Sequence, residues 1–208
     1  MYENLRGKNC VRFTAELASS APVPGGGSVT ALLGALSASL CAMAANISRG
    51  KAKEPAVGEA LRNAAERAEA LRRELLKLID ADAKAFLPLI EACALPKDTP
   101  DRAESLRKLS IEAGSVPLSM LRLCGDVTAL LELLLSSTSS SLLSDVGCAA
   151  AVCRAAVDCA AMNVWVNIRS YPEDLQAYAY GKEVRKLHKD LNRRTEAVAR
   201  AVREKLMS

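Results

Sequence analysis

The stretch PVPGGGSVTALLGALSASLCAMAANIS, residues 22–48, decides how the rest of the chain is read. Pro22 and Pro24 stop any preceding helix, Gly25, Gly26 and Gly27 allow a sharp, close-approaching turn, and Ser28 is a good N-cap for a helix starting there. No charge then appears until Arg49. A helix this small-sided and uncharged has no solvent face, which places it inside a bundle with neighbours close against Gly34, Ala35, Ala38 and Ala42. Its glycine start leaves backbone N–H groups unpaired at the positive end of the helix dipole, a setting for an anionic or polar ligand. The length also fits a membrane span, but frequent Ser, Thr, Asn and Gly weaken insertion, and the rest of the chain is amphipathic. A phosphate loop is disfavoured, because the Gly-x-x-x-x-Gly-Lys-Ser/Thr spacing is absent and no strand pattern precedes the glycines.

Working outward, 208 residues are enough for one well-buried core, and nothing demands a second domain. Half of the residues are apolar and only 3% aromatic, an Ala- and Leu-rich balance that predicts an all-α, single-domain helical bundle rather than a sheet. A net charge of +4 suits an acidic small molecule and falls short of the dense basic surface of a nucleic-acid binder. Seven cysteines lie mostly in apolar helical stretches, as in a reduced cytoplasm. No Cys-x-x-Cys occurs and His188 is the only histidine, so the usual zinc constellations are missing and no metal is expected. The N-terminus carries charges throughout and does not read as a secretory signal.

Tyr2, Leu5, Phe13 and Leu17 mark the apolar side of a first helix, and Gly50 is a plausible C-cap for the buried one. A long helix begins after Pro55. Along it Val57, Leu61, Ala64, Ala68, Leu71, Leu75, Leu78, Asp82, Phe86 and Leu89 define one face. Asp82 thus sits in an apolar stripe, where an acid is either a hydrogen-bonded core group or a proton-transfer group with a raised pKa. Asp80 points the other way and is expected to pair with Lys84 on the surface. Thr99 or Asp98 caps a helix with Pro100 in its first turn, Pro117 bends or divides that helix, and Gly125 breaks the chain again before Val127–Leu135. The serine run 136–141 reads as a loop within the domain. Ser144-Asp145 opens an alanine-rich helix to about Ser170, on which Asn163 and Asn167 share a face. After Pro172 comes an amphipathic outer helix with Leu175, Tyr178, Leu187, Leu191, Val198, Val202 and Leu206 on its inner side.

Five pieces occur in order: Pro24-Gly25-Gly26-Gly27-Ser28 before an alanine-rich helix, Asp80-Ala81-Asp82-Ala83-Lys84-Ala85-Phe86, Leu95-Pro96-Lys97-Asp98-Thr99-Pro100, Ser144-Asp145, and Asn163-Val164-Trp165-Val166-Asn167-Ile168. Together, over roughly Phe13 to Ile168, they resemble the cyclodeaminase domain of formiminotransferase-cyclodeaminase, a family that includes stand-alone methenyltetrahydrofolate cyclohydrolases. The resemblance implies an all-helical subunit that dimerises, a folate site near the glycine turn and the subunit contact, and chemistry at the one-carbon unit between N5 and N10 of tetrahydrofolate. It implies no cofactor beyond the folate substrate. By the same resemblance Asp82 is the proton-transfer group, and Asp145 is a second acid that shares this work or hydrogen-bonds the pterin. Gly25, Gly26, Gly27 and Ser28 let backbone approach the folate, Asn46, Asn163 and Asn167 line the pocket, and Lys51 and Lys97 meet the glutamate tail. Where many members carry an asparagine shortly before the Ser-Asp pair, this chain has Ser139-Ser140-Ser141. The alternative is a non-catalytic folate-binding protein of the same fold. No contact with membrane or nucleic acid is expected.

Overall fold

Small side chains let one helix pack closely against three others. The computed structural model describes residues 4–208, and over these it forms α1 (Cys10–Leu17), α2 (Gly26–Arg49), α3 (Pro55–Ala94), α4 (Arg102–Ser137), α5 (Leu143–Ile168) and α6 (Leu175–Met207), with short 3-10 turns at Leu5–Gly7 and Ser140–Leu142. No strand occurs among the described residues, so the expected all-helical bundle is the fold. α2 packs against α3, α5 and α4, and α6 closes the far side against α5 and α4. At Gly34 a Cβ would lie 3.0 Å from Leu75 of α3, so the two helices meet there at a distance that any side chain would widen. Leu61, Leu71, Leu75, Leu118, Leu121, Leu131 and Leu191, all buried, fill the space around this axis. Burial of such a side chain contributes roughly 1.5–3 kcal/mol. Between α2 and α5 the buried Ser37 hydroxyl donates to the Ala149 carbonyl at 2.8 Å, which satisfies a polar group in the core.

Several elements differ from expectation for identifiable reasons. Gly25, not Ser28, is the N-cap of α2, so the glycines Gly26 and Gly27 form its first turn. α2 also has a bare side, since Leu36, Met43 and Ile47 are each between 37% and 48% exposed. α4 runs unbroken through Pro117 and Gly125, because both sit within a helix whose packed residues, Ala113 to Leu134, are held by neighbours on three sides. Burial of that face outweighs a proline penalty of about 3 kcal/mol. Pro100 stays outside α4, whose N-cap is Asp101 in the left-handed region at φ 59°. Within α6 the inward face is Ala177, Gly181, Val184, Leu191, Thr195, Val198 and Val202, while Leu175, Tyr178 and Leu206 are exposed. The first helix divides into the 3-10 turn and α1, with Leu5 and Phe13 buried; Tyr2 lies outside the described residues.

Asp80 does not pair with Lys84. Its carboxylate accepts from the backbone N–H of Leu5 at 2.9 Å and of Arg6 at 3.3 Å and pairs with the Arg6 guanidinium at 3.2 Å. That arrangement ties the N-terminal segment down onto α3.

Candidate active site

The first turn of α2 has no acidic residue and no side-chain cap of its own, so its N–H groups look outward for an acceptor. The acceptor comes from α3. The Asp82 carboxyl receives the Ser28 hydroxyl at 3.3 Å and also the Ser28 backbone N–H. It lies so close to the turn that a Cβ on Gly27 would fall 1.9 Å from Oδ1, a contact no side chain tolerates. Glycine at position 27 is therefore what allows the carboxyl to reach the helix end. Ser28 is fully buried, and its hydroxyl is also 3.5 Å from the Ile79 carbonyl.

Among the described residues no cation stands beside Asp82. Burial pushes its pKa up to about 6, against the downward pull of the Ser28 hydroxyl and backbone N–H. A carboxyl poised near neutrality can take and return a proton within one catalytic cycle. It sits in a cleft of about 400 Å³ whose lining includes Gly25, Gly26, Gly27, Asn163 and Asn167, with apolar walls from Phe86, Leu89, Val166 and Tyr171. Such a mixture of apolar wall and few polar groups is that of a small-molecule site. The Asn163 amide lies against Gly26, 3.6 Å from where its Cβ would be. Each asparagine donates one amide N–H to its own helix, Asn163 to the Cys159 carbonyl and Asn167 to the Asn163 carbonyl, each at 2.8 Å. Their amide oxygens are left to accept hydrogen bonds from a ligand.

The sequence-derived candidates fall into two groups. Gly25, Gly26, Gly27, Ser28, Asp82, Asn163 and Asn167 meet at one end of the bundle. Asn46 and Lys51 lie at the opposite end of α2, and Asp145 lies in the first turn of α5, 18 positions before Asn163. At about 1.5 Å per residue that is roughly 27 Å from the cleft. Lys97 is exposed in the turn between α3 and α4, beyond Cys93, which lines the cleft, and is not itself part of the lining. The cleft also includes Ser110 and Tyr171, which the sequence did not single out. Ser110 lies between Leu106 and Ala113 on the same face of α4, a polar residue in an apolar stripe, the signal that marked Asp82.

Comparison with known proteins places these features in a family context. A profile described as formiminotransferase-cyclodeaminase matches residues 9–186. A methenyltetrahydrofolate cyclohydrolase from Methylorubrum extorquens is 34% identical, over 93% of this chain and 95% of its own length. Mouse formimidoyltransferase-cyclodeaminase is 32% identical over 78% of the chain, which spans 31% of that longer protein. The crystal structure of formiminotetrahydrofolate cyclodeaminase from Thermotoga maritima superposes with a TM-score of 0.82 at 25% identity, covering 98% of both chains.

Proposed function

The chain belongs to the formiminotransferase-cyclodeaminase family, and from that premise we propose that it is a folate one-carbon enzyme that hydrolyses 5,10-methenyltetrahydrofolate to 10-formyltetrahydrofolate. The observation that carries this reading is the unpaired Asp82 carboxyl, held by the first turn of α2 at the cleft and raised to about 6. The end-to-end likeness to the Methylorubrum cyclohydrolase supports the hydrolytic direction. The equally complete likeness to the Thermotoga cyclodeaminase favours a second reading, ring closure of 5-formiminotetrahydrofolate with loss of ammonia.

In the hydrolytic direction the Asp82 carboxylate takes a proton from water as the water oxygen attacks the methenyl carbon. The tetrahedral intermediate collapses with cleavage of the carbon–N5 bond, one water proton reaching N5 and the other leaving to solvent. In the deaminating direction N10 attacks the formimino carbon, Asp82 carries the N10 proton to the formimino nitrogen, and a second proton from solvent lets that nitrogen leave as ammonia, with the methenyl cation as product. Both begin with the carboxyl ionised, so turnover rises with pH through about 6. Phe86, Leu89 and Val166 supply an apolar wall for the reduced pterin, and the Asn163 and Asn167 amide oxygens accept from its N–H groups.

A homodimer is part of this proposal. The exposed apolar residues Leu36, Met43 and Ile47 of α2 and Met162 and Val166 of α5 support it, because they recur at helical spacing on two helices that pack together. A two-fold axis on the exposed side of α2, beside Leu36 and Met43, would set the Asn46 and Lys51 end of one copy against the glycine turn of the other. That packing would bring Asn46 and Lys51 of one copy toward the cleft of the other, while Asp145, one turn from the Ala149 that meets Ser37, stays near the middle of α2.

The test is absorbance of the methenyl chromophore with purified protein. Its loss from 5,10-methenyltetrahydrofolate identifies the hydrolase, its appearance from the 5-formimino substrate identifies the deaminase, and binding without either supports a non-catalytic folate binder.

A further inference from the structure

The chain has one Trp, four Tyr and two Phe. Three of these, Trp165, Tyr171 and Tyr178, line one surface pocket of about 510 Å³ together with Arg169 and Arg185. Many arginines of α3, α4 and α6 are held by carboxylates, among them Arg72, Arg107, Arg122 and Arg194. Arg169 and Arg185 make no ion pair among the described residues. The Arg185 guanidinium lies over Gly181, within 3.4 Å of where a Cβ would stand, so the missing side chain gives it a seat at the pocket floor. Trp165 is braced from behind by His188, edge to face at 5.2 Å, and His188 is in turn held by Asp158 at 2.7 Å. Aromatic walls with two free guanidinium groups suit a flat ring that carries carboxylates.

Tyr171 lines this pocket and the catalytic cleft alike, and neighbouring positions of α5 serve both: Asn163, Val166 and Asn167 the cleft, Trp165 and Arg169 the pocket. A third cavity beside Tyr171 contains Arg107, but that arginine is already engaged by Glu104 and Asp174, and Glu173 adds a further negative charge. An acidic ligand is therefore favoured on the Arg169 and Arg185 side only.

We propose that the pocket between Trp165, Tyr178, Arg169 and Arg185 binds the p-aminobenzoylglutamate half of the folate, its ring against the aromatic walls and its carboxylates on the two guanidinium groups. This rests on the folate reading above, and it assigns the acidic tail to arginines rather than to Lys51 or Lys97.

The sole tryptophan makes the proposal measurable without turnover. Titration of wild-type protein with p-aminobenzoylglutamate, which lacks the pterin, quenches Trp165 fluorescence to saturation. Arg169→Gln and Arg185→Gln, which replace two exposed and unpaired side chains, each weaken that binding by roughly three- to tenfold, the loss of one charge-assisted contact. In turnover assays the same variants raise KM for the folate substrate by a similar factor with kcat within about twofold of wild type. Absence of saturable quenching, or equal binding of p-aminobenzoate without the glutamate, overturns the proposal. Turnover with unchanged KM in both variants overturns the pocket and leaves the enzyme reading intact. Arginine-dependent quenching in a protein that converts no folate keeps the pocket and removes the enzyme reading.

Discussion

Asp80 and Asp82 stand two residues apart on α3 and live in opposite surroundings. Asp80 has a guanidinium and two backbone N–H groups, from Arg6 and Leu5, and 17% of its side chain reaches solvent. Among the described residues Asp82 has hydrogen bonds from Ser28 alone and no cation, and burial lifts its pKa to about 6. The difference teaches which carboxylate holds the fold and which is free to move a proton. Burial without a countercharge disfavours the ionised form, which brings the Asp82 carboxyl near the pH of the reaction.

The largest expected effect is on activity at Asp82. Asp82→Asn keeps the shape and an acceptor for Ser28 but cannot shuttle protons, so kcat/KM falls by about 10²–10⁴. Stability moves the other way. The folded pKa lies above the unfolded value, so this carboxyl favours folding fully below about pH 4 and loses that contribution as pH rises through about 6. The loss amounts to as much as about 3 kcal/mol for a shift of this size. Chemical denaturation from pH 4 to pH 8 should therefore show the wild type losing stability relative to Asp82→Asn. A variant that is inactive and destabilised equally at every pH would make Asp82 a helix cap and nothing more.

Gly27→Ala comes next, because it attacks the same carboxyl by space alone. The new Cβ would lie 1.9 Å from Asp82 Oδ1, so the carboxyl must leave the α2 turn. Turnover should drop by about tenfold to a hundredfold, in line with the sensitivity of catalysis to displacement of a reacting group by an ångström. Gly26→Ala is the control: its Cβ meets only the Asn163 amide, at an ordinary 3.6 Å, and a milder loss is expected. Asp80→Ala gives the mirror result. Losing the bonds to Leu5 and Arg6 should cost about 1–3 kcal/mol in unfolding free energy, read by thermal or urea denaturation, with kcat/KM within a few-fold of wild type.

Helical spacing alone placed Asp82 in an apolar stripe, and the glycine run marked where a helix end would be open; the shared face of Asn163 and Asn167 was equally legible, whereas α2 was read without a solvent face and exposes Leu36, Met43 and Ile47. The partner of Asp80 was not. It lies about 75 positions away in sequence, at Leu5 and Arg6, and local i,i+4 rules offered Lys84 instead. The continuity of α4 through Pro117 and Gly125 was hidden for a related reason, since tertiary burial overrode two residues that locally end helices. The distance between Asp145 and Asn163 was implicit in the predicted helix that carries both. Helical rise separates them whatever the packing, by roughly 27 Å at about 1.5 Å per residue.

The smallest effect sharpens the contrast most, because it changes how far Asp82 is compensated without touching it. The buried Ser28 hydroxyl, 3.3 Å from Oδ2, pulls the carboxyl pKa down while burial pushes it up. Ser28→Ala removes the hydroxyl and leaves the backbone N–H and the burial in place, so the pKa must rise above its wild-type position near 6. The ionised form that begins either reaction is then scarcer at low pH and undiminished at high pH. Its pH–rate profile should shift upward by a fraction of a unit, with turnover reduced about twofold at pH 6 and close to wild type at pH 8. A profile that stays in place would assign the controlling ionisation to the folate itself, and Asp82 would lose the poise that sets it apart from Asp80.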